Sequence, residues 1–151
     1  MIAKGLNFGM CNVERTMKRI TLFKVYVRDQ DAALRFYVEK LGFEVAEDHQ
    51  LGDYRWLLVR APDNQELSIN LEIAKTDEEI GLVGRQAGAQ PLFSISTDDC
   101  KRDYADMKRR GVTFEGEPKN MPYGTGVMMQ DLYGNKIYLN QDPSRRTGES
   151  V

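Results

Sequence analysis

The order of elements in this chain is written twice. Residues 20 to 28, ITLFKVYVR, are a β-branched and aromatic run, followed by helix-starting side chains at Asp29 to Asp31 and by the amphipathic AALRFYVEKLG, which ends at Gly42. About seventy residues later PLFSISTDDCKRDYADMKRRG repeats that order: Leu22-Phe23 answers Leu92-Phe93, Asp29 answers Asp99, and Gly42 answers Gly111. Solenoid units run roughly 20 to 50 residues, so a period this long predicts a duplicated module instead. Three strand candidates follow each helix. They are FEVAED (43–48), YRWLLVR (54–60) and ELSINLEI (66–73) in the first half, and VTFEGEP (112–118), GVMMQD (126–131) and KIYLNQ (136–141) in the second. The chain thus predicts two β-α-β-β-β modules, at 17–73 and 91–142, joined by a linker at 74–90 in which Thr76 offers a helix start. Residues 1–16 show no clear period and are expected to be an extension, with Met17 as the natural start or, alternatively, an ordered arm. Residues 143–151 read as a polar tail.

Composition bounds the partners. A chain of 151 residues, 41% hydrophobic and 29% charged, fits one globular domain. The balance of 21 basic against 23 acidic residues lacks the positive footprint that nucleic acid or an anionic membrane would require. No apolar run reaches the length of a membrane span and the first residues lack a secretory signal's apolar region, so the expected location is the cytoplasm. Cys11 and Cys100 stand apart without a Cys-x-x-Cys spacing and are expected to be free thiols. Cys100 falls in the first turn of the second helix, but the neighbouring Asp98 and Asp99 oppose a thiolate, which predicts a structural role.

The stretches VYVRDQDAALRFYVEKLGFEV and DLYGNKIYL, at the right separation and within a duplicated pattern, resemble the vicinal oxygen chelate superfamily, over about residues 18–142. That superfamily holds glyoxalase I, extradiol dioxygenases, fosfomycin resistance enzymes and bleomycin resistance proteins. The resemblance implies an α+β fold in which the two modules form a cupped, mixed β-sheet, partly closed and barrel-like, with the helices outside. In metal-dependent members His, Gln or Glu side chains line the cup, and motif matching places those positions at Leu22, near Ser68, at Leu92 and at Tyr138. Leucine has no lone pair, and neutral Ser and Tyr oxygens are poor substitutes for imidazole or carboxylate on a transition metal. No metal and no cofactor are therefore expected. Tyr138 stands where a metal-binding carboxylate would sit, which implies a chelate converted into an organic binding surface. The single histidine, His49, lies apart from the matched positions, in a segment expected to be a loop.

Strand alternation extends the set of expected cup residues. Lys24 and Tyr26 share parity with Leu22, Asn70 with Ser68, Ser94 and Ser96 with Leu92, and Asn140 with Tyr138; the superfamily pattern adds Met128 and Gln130. Trp56, the only tryptophan, lies on a wall strand, and a one-residue slip decides whether it faces core or cup. Such a lining suits a small aromatic or acidic ligand. Two functions remain open: a metal-free binding protein, and a lyase, isomerase or dioxygenase that uses an unplaced metal or a base such as Tyr138 or Lys24. No catalytic residue is identified. The superfamily's paired chains and free sheet edges together predict a homodimer.

Overall fold

The protein is described by a computed structural model covering residues 16–145. The extension is therefore outside the described residues except for Thr16, as is the tail beyond Arg145.

In the first module, strand β1 (Leu22–Val27) leads into helix α1 (Gln30–Arg35), which continues as a π-helical turn over Phe36–Lys40. Asp29 caps α1 by accepting from the Ala32 N–H, satisfying one of the donors a helix start leaves free. The wide turn closes with Leu41 N–H on the Phe36 carbonyl, and it buries the adjacent rings of Phe36 and Tyr37 together. Strands β2 (Glu44–Leu51), β3 (Tyr54–Arg60) and β4 (Ser68–Ile73) complete the module in the order β1-β4-β3-β2, with β1 parallel to β4 and the other pairs antiparallel. β2 runs past the expected boundary, so His49 is a strand residue paired with Trp56 rather than a loop residue.

The linker holds a short helix, α2 (Asp77–Leu82), begun by Thr76 in a reciprocal capping box with Glu79. Gln86 then covers the outer edge of β1: its amide accepts from Tyr26 N–H at 2.6 Å and donates to the Lys24 carbonyl at 3.1 Å. Gly84, at φ 78°, passes so close to the Tyr133 carbonyl that an added Cβ would lie 1.9 Å from its oxygen. No other residue fits that approach.

The second module repeats the plan with β5 (Pro91–Ser96), α3 (Cys100–Arg109), β6 (Thr113–Phe114), β7 (Lys119–Met121), β8 (Gly124–Gln130) and β9 (Lys136–Gln141). Its sheet runs β5-β9-β8-β6, with β7 also paired to β8. The strand expected at 112–118 is thus shortened to Thr113–Phe114, β7 follows beyond the expected range, and Gly116, at φ 99°, lies between the two.

One side of each sheet faces the helices, and these sides merge into one core. Val25, Leu57 and Leu71 belong to the same buried cluster as Val127, Met129 and Ile137, and the rings of Phe23 and Phe93 meet at 5.6 Å. A buried polar tie reinforces it. Tyr37 donates its hydroxyl to Asp131 at 3.0 Å, and Asp131 also accepts from Tyr133 N–H, Asn135 N–H and the Asn135 side-chain amide. The DLYGN turn therefore joins the modules as well as reversing the chain. Burial, with the Asp131 charge beside it, holds the Tyr37 hydroxyl well above the usual tyrosine range, so it stays a donor. The sheets are two separate hydrogen-bonded units and no closed barrel forms.

Candidate functional site on the open sheet faces

Each sheet has a second face turned away from the helices. Register assigns its residues, because directly paired residues share a face. In the first module Leu22, Lys24 and Tyr26 of β1 pair with Ser68, Asn70 and Glu72 of β4, and Asn70 pairs with Leu58 of β3. Trp56 shares Leu58's parity and so lies on this open face, half-buried, with its indole N–H on the Glu47 carboxylate at 2.6 Å. In the second module Ser94 and Ser96 pair with Tyr138 and Asn140, while Met128 and Gln130 pair with Tyr138 and Lys136.

Leu92 departs from the expected cup set. The pairing of β5 with β9 shifts between Pro91 and Phe93, and Leu92 packs against the hydrophobic core. A bulge consumes one residue of alternation, so parity counted from Ser94 fails there. The internal repeat also corrects the register of β4. Phe23 pairs with Ile69 and Phe93 with Ile137, so the counterpart of Tyr138 in the first module is Asn70, and that of Ser68 is Lys136.

Tyr138 is seated by a missing side chain. An added Cβ on Gly126 of β8 would lie 2.0 Å from the Tyr138 hydroxyl and 2.4 Å from its ring carbon, so the ring lies flat across the sheet over the glycine. Partial burial raises the Tyr138 pKa, with Tyr123 as the next cause. A phenol held protonated is a hydrogen-bonding surface rather than a base.

The first module carries a second polar feature that alternation alone did not single out. β3 and β4 pair only through Leu58↔Asn70 and Val59↔Ile69. Beyond Asn70 the Gln30 amide enters from α1 and donates to the carbonyls of Leu71 at 2.7 Å and Arg55 at 3.2 Å. A cavity of about 210 Å³ lies there, bordered by Gln30, Gln50, Asp53, Tyr54, Glu72 and Lys75. Tyr54 donates to Glu72 at 2.7 Å. Asn70 is 2% exposed, and its side-chain oxygen has no partner. Arg55, which also borders the cavity, is held by both Asp48 and Asp31 at 2.9 and 2.6 Å, so its charge is already balanced. Tyr54 and Glu72 share parity with Trp56 and Asn70, which could have shown their face; the role of Gln30 had no local signal.

A larger cavity, about 790 Å³, lies between the modules on the helix side, walled by Phe23, Phe43, Ile69, Phe93, Ile95 and Met107. Of the expected cup residues only Ser94 and Ser96 border it. Cys100 is fully buried at the start of α3, and burial, then Asp103 and Asp99, pushes its thiol up to about 11, against nucleophilic use. Among the described residues, no three His, Cys, Asp or Glu side chains gather as a metal site, and no helix is long and apolar enough to cross a membrane.

Two β-α-β-β-β modules, a shared core and two open sheet faces without a set of chelating side chains define a class of fold and site. The model of the Glyoxalase/Bleomycin resistance protein/Dioxygenase superfamily matches residues 18–139, and the chain belongs to that superfamily. An uncharacterized protein of Shewanella frigidimarina (strain NCIMB 400) is 39% identical over 111 residues, 72% of this chain and 82% of that protein. Among solved structures, UcmS2 matches at TM-score 0.74 and 31% identity, over 82% of this chain and 98% of its own. TnmS3, an antibiotic binding protein from Streptomyces sp. CB03234, matches at TM-score 0.70 and 35% identity, over 84% of this chain and 98% of its own.

Proposed function

We propose that this protein is a metal-free binder of a small organic molecule with an aromatic part, held on the open sheet faces of a cytoplasmic homodimer. The observation that carries the reading is the side-chain set at the positions matched to the superfamily's chelate: Leu22, Ser68 or its neighbour Asn70, Leu92 and Tyr138. Leucines donate nothing, and the remaining neutral oxygens do not fit a transition metal. Around them stand Tyr26, Trp56, Met128 and Tyr138, which offer ring and thioether surface, beside the polar groups of Lys24, Ser94, Gln130 and Asn140. The 35% identity to an antibiotic binding protein of the same fold supports binding over catalysis. So does the raised pKa of Tyr138, which works against the general base that a metal-free enzyme would need. Pairing of chains is supported by apolar side chains left exposed on or beside the open faces, Leu51 and Tyr123 at 62% each.

Elemental analysis of the protein after mild purification tests the reading. The expected result is far below one equivalent of zinc, nickel, iron or manganese per chain. About one equivalent, removed only by a chelator, would overturn it.

A further inference from the structure

We propose that the free edge of β5 is a second ligand site, which takes a neutral molecule carrying a primary carboxamide on an apolar or aromatic body. The site is the strand's edge and the cavity beside it rather than the open face proposed above, and either can hold without the other.

The first module shows what such an edge binds. In a parallel pair the N–H and C=O groups of alternate residues point to the neighbouring strand, and those of the residues between point away. Ser68 N–H donates to the Thr21 carbonyl and Ala74 N–H to that of Val27, so on β1 the backbone groups of Lys24 and Tyr26 point outward. The Gln86 carboxamide closes on them, donating to the Lys24 carbonyl and accepting from Tyr26 N–H. On β5, Thr97 N–H donates to the Asn140 carbonyl, so Thr97 and Ile95 point to β9, and the groups of Ser94 and Ser96 point outward from the last strand of the sheet. By the repeat that aligns Phe23 with Phe93, Ser94 answers Lys24 and Ser96 answers Tyr26. Both serines are exposed, and no side chain among the described residues does for them what Gln86 does for the other pair.

A bare edge is ordinarily left to water, but this one borders the cavity of about 790 Å³, whose lining joins Ser94 and Ser96 to the side chains of Phe23, Phe93, Ile69 and Met107. That volume lies in the range of small-molecule pockets, and its rings and aliphatic walls suit an apolar body attached to the amide. The two cations on its border are already paired, Arg60 with Glu44 at 2.7 Å and Arg102 with Asp98 at 2.6 Å, so the polar recognition falls to the strand edge. The edge is short. The register shift between Pro91 and Phe93 closes one end and α3 begins at Cys100 beyond the other, which leaves two outward residues, the reach of one amide rather than of a typical strand of about 5–6 residues. A primary carboxamide supplies both halves of the contact, an N–H for the Ser94 carbonyl and an oxygen for Ser96 N–H.

The test follows backbone amides of the full chain by NMR. Without ligand, Ser96 N–H is expected to exchange with solvent freely while Tyr26 N–H is protected. Titration with 3-phenylpropanamide is expected to shift the Ser96 signal saturably, and N,N-dimethyl-3-phenylpropanamide, which has no N–H to give, to bind at least about tenfold more weakly. Ser96→Pro deletes the outward donor at an edge position where proline is tolerated, and is expected to weaken the primary amide about fivefold or more at an unchanged denaturant midpoint. If that variant fails to fold, the Ser96 signal and the two probes decide. Protection of Ser96 N–H without ligand would show that another segment of the chain or a second copy covers the edge, and overturns the inference. Equal binding of the two probes, an undiminished affinity in Ser96→Pro, or no binding of the primary amide at millimolar concentration overturns it as well. Binding that Tyr138→Ala abolishes and Ser96→Pro leaves intact overturns it while leaving the open-face reading standing.

Discussion

At the scale of the residue, the second open face depends on what Gly126 lacks. Its backbone is not in the left-handed region, so the glycine is there for space: the Tyr138 ring occupies the volume a Cβ would take. Tyr138→Ala is expected to weaken an aromatic ligand by about 1–3 kcal/mol. Gly126→Ala is expected to do nearly the same by pushing the ring off the sheet, and the double variant to cost little more than either alone, since both remove one feature. Calorimetric titration beside denaturant midpoints checks this. Neither change should approach the loss of about 3–5 kcal/mol in stability expected for Phe36→Ala in the shared core. Additive losses in binding would separate the two residues. Alternation along a strand was enough to assign Lys24, Tyr26, Asn70, Ser94 and Tyr138 to one kind of face, because the period of two is a local property. It failed at Leu92, where a bulge that no residue type announces takes one position out of the count.

At the scale of the element, the strands and helices of both modules were legible as alternating and amphipathic runs closed by Gly42 and Gly111, which take φ of 77° and 93°. What was not legible depends on partners far along the chain. β2 continues through His49 because β3 offers it a pairing edge up to Tyr54, and hydrophobic pattern alone does not report that edge. The break between β6 and β7 is set by their separate pairings with β8. Likewise the gap between β3 and β4 is filled by Gln30, the first residue of a helix that starts some 25 to 40 residues earlier in the chain. Gln30→Ala should leave the carbonyls of Arg55 and Leu71 without those donors. The expected cost is about 1–3 kcal/mol, read as a lower denaturant midpoint. A variant as stable as the parent would show that water replaces the amide without consequence.

At the scale of the whole molecule, the helix sides of the modules form one core tied by Tyr37 and Asp131, while among the described residues no further sheet or helix layer covers the open faces. Two such faces, with Leu51, Met121 and Tyr123 exposed beside them, are expected to close against a second copy. Light scattering at micromolar concentration should give twice the chain mass, and Leu51→Glu should lower it toward the monomer. A monomer mass for the parent protein would reject pairing as the means of enclosing a ligand.

The central claim is that an organic binding surface stands in place of a chelate, and it is tested most directly by equilibrium dialysis of a neutral aromatic probe, 2-naphthol, before and after stripping the protein with a chelator. The account predicts saturable retention with the same affinity in both samples, and no gain when zinc or nickel is restored. Retention that disappears on stripping and returns with about one equivalent of metal per chain would contradict it.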